Sequence, residues 1–306
     1  ESYSGLFRVG ELAAWHAATS IAFLTILVMR RPRLVWIIGA GLLAALLVGA
    51  IILTGRRKML MALAIFFAFQ WVLLVVLRQG LIRRNKILLV IAISGVMGFG
   101  LLGHEDDGTV RSYYVERGES VFISTDDRLA MTLGLVEWAW RTSGILGKGA
   151  GVAGQGARYA GERPEDVNVG ATEVGLGLIL VELGLPGLLV ILWLTLLLVR
   201  RLWWGLWILA GVNPSLPTYA VSFLALLVAN AATFGTATQL YSDYVVLITL
   251  GLIAGMLFAV VYAGIEDYRL HFAWQARYYG ACSASPDAYP TTAGEGALGS
   301  NGGDRR

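Results

Sequence analysis

LVWIIGAGLLAALLVGAIILTGRRK, Leu34 to Lys58, opens with twenty residues that are all apolar or glycine and ends, after Thr54 and Gly55, on three consecutive cations. At about 1.5 Å per residue, twenty helical residues cross a hydrocarbon core about 30 Å thick. The run has no period-two alternation, and an open sheet in lipid would leave backbone groups unpaired. It reads as a membrane helix and not as a strand. Comparable runs lie at Leu12 to Met29, Met59 to Leu77, Ile87 to Leu102, Val174 to Val199, Pro217 to Phe234 and Tyr244 to Gly264, the one from Ile87 being short. The expected fold class is therefore an all-α polytopic membrane protein with about seven transmembrane helices.

Composition agrees with this class. Over 306 residues, 57% are apolar and 15% charged, and the mean hydropathy of +0.66 exceeds what a soluble core of this size requires. Trp36, Trp71, Trp193, Trp203, Trp204 and Trp207 fall mainly near run ends, as interfacial anchors do. A single cysteine, Cys282, excludes an internal disulfide. His16, His104 and His271 have no metal-ligand spacing, so no metal site and no cofactor is expected. A net charge of +3 gives no reason to expect a nucleic-acid partner.

The runs divide the chain into transmembrane helices 1–4 over residues 1–103, a loop over 104–171, and transmembrane helices 5–7 over 172–277. The tail, 278–306, is rich in Gly, Ala, Ser and Pro and is expected to be disordered. No signal peptide precedes the first run and the chain does not begin with Met, so further helices are expected ahead of Glu1. Alternation places Arg30, Arg31 and Arg33, Arg78 to Lys86, Arg200 and Arg201, and the tail on one side. The excess of Lys and Arg in short connections makes that side cytoplasmic and the long loop extracytoplasmic.

Arg56, Arg57 and Lys58 are the exception, because they fall on the outer side. Two readings stand: a basic stop at a helix end, or a cation cluster kept there for an anionic partner such as phosphate, whose oxygens match guanidinium forks. Within the loop, Thr125-Asp126-Asp127 precede an amphipathic helix from Arg128 to Arg141, too short to span and too apolar to stand in water, expected at the outer interface. Glu137 and Arg141, four apart, are expected to pair. Arg128 has no partner four residues on; either it pairs with Asp126 or Asp127, or its charge, which opposes the helix dipole, is there for a bound anion.

Glycines 144, 147, 149, 151, 154 and 156 follow. They contain a G-x-G-x-x-G string from Gly149 to Gly154, but no strand precedes it, so a turn is expected and a dinucleotide site is not. Glu173 sits at the mouth of the next run, either as a helix cap or as a functional carboxylate. Glu182 lies nine residues deeper, and its expected role is to hold a kink near Gly184 and Pro186 with another span.

Three passages resemble the O-antigen ligase and polymerase family of bacterial envelope enzymes. Leu53-Thr54-Gly55-Arg56-Arg57 is similar to the family's T-x-S-R segment, with Arg57 in the place of its arginine. Asp127-Arg128, the Trp-rich helix and Gly144-Ile145-Leu146-Gly147-Lys148-Gly149 resemble the loop arginine and the glycine turn that follows it. Glu182-Leu183-Gly184-Leu185-Pro186-Gly187 resembles the E-x-G-x-x-G stretch. The resemblance covers roughly Leu34 to Val199, and where the family usually has His-Asn this chain has Glu173.

The resemblance implies a helical bundle of the glycosyltransferase C type in the bacterial inner membrane. It also implies metal-independent transfer of a glycan from undecaprenyl diphosphate to a hydroxyl of a glycan, lipid or protein acceptor. Arg57 and Arg128 would hold the diphosphate, Arg56 would assist, and Glu173 would act as general base. The alternatives are a transporter or flippase of an anionic lipid, using the same charges, and a non-catalytic assembly subunit.

Overall fold

A computed structural model describes residues 10–30, 33–54, 57–77, 85, 86, 88, 90, 91, 125–152, 174–212, 216–235 and 243–283. Among these residues seven helices are delimited: α1 Gly10–Arg30, α2 Leu34–Leu53, α3 Arg57–Val76, α4 Thr125–Ser143, α5 Gly175–Val212, α6 Leu216–Phe234 and α7 Tyr244–Ser283. No strand occurs among the described residues. All but α4 are long and apolar enough to cross a membrane. Leu34, Val35, Leu46, Leu196, Leu252 and many other large apolar side chains face outward. Such a surface is untenable in water and is the normal outside of a bundle in lipid. The chain is a helical, multi-pass membrane protein.

Packing inside the bundle sorts the helix ends into two groups. α3 packs along α6 and α1 along α2, with further contacts of α1 to α3 and α6. One buried cluster joins Trp15, Ile51, Met59 and Val246, the beginning of α1, the end of α2, and the beginnings of α3 and α7. A larger one joins Met29, Leu74, Leu209, Ala220 and Leu257 toward the opposite ends. Val90 joins Val28, Ile37 and Ala40, at the α1-end, α2-start level. α1, α2 and α3 therefore alternate in direction, and so do α5, α6 and α7, as the sequence requires. Of the short fourth run, Ile87 to Leu102, only residues 88, 90 and 91 are described, and these are helical.

Polar groups inside the bundle are satisfied mainly by the backbone one turn earlier. Thr25, Ser222, Asn230 and Thr233 each donate to the carbonyl four residues back. Side-chain bonds also tie helices together: Trp15 Nε1 donates to Asn230 Oδ1 at 2.7 Å, and Gln70 Nε2 donates to Ser222 Oγ at 2.7 Å and to Met29 Sδ at 3.9 Å. They differ in completeness. Asn230 uses both ends of its amide, whereas Gln70 Oε1 is buried with no donor among the described residues. Asn230→Leu is therefore expected to cost about 0.5–2 kcal/mol by stranding the indole N–H. Gln70→Leu, which removes a half-satisfied amide, is expected to be within about 0.5 kcal/mol of neutral. Thermal unfolding of the two variants in the same detergent checks the contrast.

Three boundaries depart from the sequence reading. The fifth run does not end at Val199: α5 continues to Val212, so Arg200 and Arg201 lie within a helix and not in a connection. Isolated charges do not stop a helix; Pro214, two residues beyond Val212, restricts the residue before it and does. α7 runs to Ser283, so residues 278–283, expected to be disordered, are helical, while 284–306 lie outside the described residues. α4 starts at Thr125, which puts Asp126 and Asp127 in its first turn instead of ahead of it, a position where acidic residues favour the helix dipole. The fold divides after Ile265 into two compact units. In the second, Gln275 Nε2 lies 2.9 Å from His271 Nε2, and the Tyr268 and Phe272 rings meet at a tilt of 56°.

Candidate functional site: a glycine turn seated in a broken helix

α5 is interrupted once, at Gly184, whose φ of 65° and ψ of −165° lie in a region essentially restricted to glycine. Pro186 is the local cause. It has no N–H to donate to the Glu182 carbonyl, and its ring would press on that carbonyl in a continuous helix. A break in a membrane helix strands backbone groups, and each must find a partner within the protein. Here the partners come from the turn after α4. Lys148 N donates to Val181 O at 2.7 Å, Gly149 N donates to Glu182 O at 3.1 Å, and Leu185 N donates to Ile145 O at 2.9 Å.

This fit depends on two glycines meeting face to face. Gly147, with φ 76°, lies so close to the break that a Cβ on it would fall 2.6 Å from Gly184 N and 2.8 Å from Glu182 O. A Cβ on Gly184 would in turn strike Ile145 O, and would sit 2.5 Å from Leu146 C and 2.6 Å from Gly147 N. Positive φ at Gly144, Gly147, Gly149 and Gly151 bends the chain as the sequence predicts of a turn. The turn is also a backbone plug. Glu182 holds the kink through its carbonyl, and among the described residues its carboxylate has no partner, so the expected side-chain tie to another span is not what closes the break.

α4 is fixed to the same place. Its Leu135, Val136, Trp138 and Ala139 pack with Val152 against Leu178, Leu180 and Val181 of α5. Glu137 and Arg141 pair on the exposed side, as their spacing predicts. Solvent screening leaves such a pair worth about 0.3–0.5 kcal/mol, so apolar packing and not this bridge anchors the helix.

The sequence-derived site residues are placed unevenly. Arg57 begins α3 and Arg128 lies in the first turns of α4, eleven residues ahead of Ala139, but the side chains of both are outside the described residues, as are Arg56 and Glu173 entirely. Backbone connections bring the beginnings of two helices to one end of the bundle. Met59, two residues into α3 from Arg57, packs with Trp15, which bonds Asn230 of α6. Gly235, just past the end of α6, accepts a hydrogen bond of 3.3 Å from Gly175 N, two residues beyond Glu173. The beginning of α3 and the beginning of α5 thus share one end of the bundle. Comparison of the chain with family models, with curated proteins and with solved structures finds no match.

Proposed function

We propose that this protein is a membrane glycosyltransferase of the O-antigen ligase and polymerase kind, built as a glycosyltransferase C type bundle in the bacterial inner membrane. In this reading the glycine turn and α4 face outward. The observation that supports it best is the seating of Gly144–Gly149 in the break at Gly184. Two of the three passages that resemble the family, 33 residues apart between Lys148 and Val181, form one unit at a single place. The third passage begins α3 at the end of the bundle where α5 also begins.

The reaction joins an acceptor oxygen to the anomeric carbon of the donor glycan. Glu173 takes the proton from the acceptor hydroxyl as that oxygen attacks. The bond from the anomeric carbon to the diphosphate oxygen breaks, and its electron pair leaves with undecaprenyl diphosphate. Arg57 and Arg128 hold the diphosphate and stabilise the charge that grows on it, with Arg56 assisting. No step needs an oxidant or a second activated donor.

Purified protein in sealed liposomes, supplied with undecaprenyl-diphosphate glycan and an acceptor, is expected to yield a new glycosidic product and free undecaprenyl diphosphate in equal amounts. Movement of the lipid across the bilayer without product would assign the protein to lipid transport instead. Glu173→Gln is expected to slow transfer by about 100-fold or more while donor binding persists. An unchanged rate would remove Glu173 from the mechanism.

A further inference from the structure

Among the described residues, Arg200 and Arg201 have no hydrogen-bond or ion-pair partner. α5 and α7 run in step beside them: a Cβ on Gly205 would touch Val261, and one on Gly264 would touch Leu209 and approach Leu216, the first residue of α6. Gly264 ends the apolar run that begins at Tyr244, so this level marks the end of the apolar layer. Arg200 lies nine residues before Leu209, as much as about 13 Å inside that level at the helical rise. Residues 189–200 are exposed on nearly every side, and so are both arginines. Among the described residues no carboxylate pairs with them: between Leu183 and Ile265 the sequence has one acid, Asp243, which caps the start of α7 at the other end through bonds to the N–H groups of residues 245 and 246, and Glu266 and Asp267 follow only beyond Gly264.

The surroundings have the shape of a lipid headgroup site. A cleft of about 770 Å³ is lined by Leu197, Arg200, Arg201, Trp203, Trp204 and Trp207. Trp203 and Trp207 meet edge to face with ring centroids 6.1 Å apart. An exposed guanidinium in an apolar layer requires an anion or a path to water. Two adjacent forks suit phosphate oxygens, and indoles with a leucine suit the glycerol and acyl region beneath them. We infer that this cleft is a binding site for an anionic glycerophospholipid of the leaflet on the α6-start side, its phosphate held by Arg200 and Arg201. The site is independent of glycan transfer and lies away from the glycine turn.

The test uses the full chain in nanodiscs of equal parts phosphatidylglycerol and phosphatidylethanolamine, with retained lipid counted by native mass spectrometry. Wild type is expected to enrich phosphatidylglycerol about 30-fold over the double variant Arg200→Gln, Arg201→Gln, the contribution of two basic side chains at a membrane surface. A double Lys variant is expected to keep a part of that enrichment, since charge remains but the fork is lost. Equal enrichment in wild type and the Gln variant would overturn the site. If the Gln variant does not fold, the wild type alone decides: millimolar inorganic phosphate that abolishes the enrichment marks a free-anion site and overturns the lipid assignment, whereas enrichment that persists supports it. A wild-type dimer that forms without lipid and excludes phosphatidylglycerol would mean that a second copy of this chain covers the cleft, which also overturns it.

Discussion

Gly184→Ala is expected to destabilise the protein by about 2–6 kcal/mol, combining about 1–3 for a non-glycine residue in this backbone region with about 1–3 for forced overpacking. The collision cannot be relieved by a rotamer change, because the atoms a Cβ would meet are the backbone of residues 145–147. The turn must withdraw, and the three hydrogen bonds it supplies to the break go with it. Gly147→Ala attacks the same contact from the other side and is expected to produce the same loss. The double variant should then cost far less than the sum of the two, because either change alone already unseats the turn. Thermal unfolding in detergent, together with protease sensitivity within residues 144–152, reads both effects. Single variants with wild-type stability would mean that the turn is not held in the break.

Arg57→Ala is expected to lower glycan transfer by about 100- to 1,000-fold, the usual consequence of removing one donor aimed at charge that develops in a transition state. Arg128→Ala is expected to match it. Membrane insertion and unfolding temperature should be preserved in both variants. Arg57→Lys discriminates further. An ammonium keeps the charge and loses the fork, so partial activity is expected if the diphosphate is gripped by two oxygens at once. Full activity in either Ala variant would take that arginine out of the mechanism.

Most of the fold was legible because length and polarity alone decide it. Leu34–Leu53 matches its apolar run residue for residue, and α6 starts one residue early. Where lipid is the solvent, an uninterrupted apolar run has little choice but helix. The extended ends were not legible by the same rule. α5 passes through Arg200 and Arg201, and α7 passes through Glu266, Asp267 and Arg269, because charge alters where a helix sits in a membrane and not whether it is helical. Proline and the residue before it carry the stop signal, and Asn213-Pro214 held it.

The site was legible in its parts and not in its assembly. The sequence marks the glycine run and the Gly184 to Pro186 kink separately, but pairing between residues 33 apart leaves no local periodicity to read. One signal was available. Pro186 removes the donor for Glu182 O, so a membrane helix carrying it needs an outside N–H, and a glycine-rich turn is the segment best able to bring one close. Gln70, Asn230 and Trp15 were missed for a simpler reason. Each is a single polar or amphipathic side chain in an apolar run, and only the partner helix reveals what it bonds.

The proposed transfer requires an anionic diphosphate held at the end of the bundle where α3 and α5 begin. Equilibrium binding of undecaprenyl diphosphate to the purified chain, measured for wild type, Arg57→Ala and Arg128→Ala in the same detergent, tests this without relying on turnover or on the identity of the acceptor. Loss of one charge-assisted contact is expected to weaken binding by at least about tenfold in each variant. Wild-type affinity in both variants would contradict it.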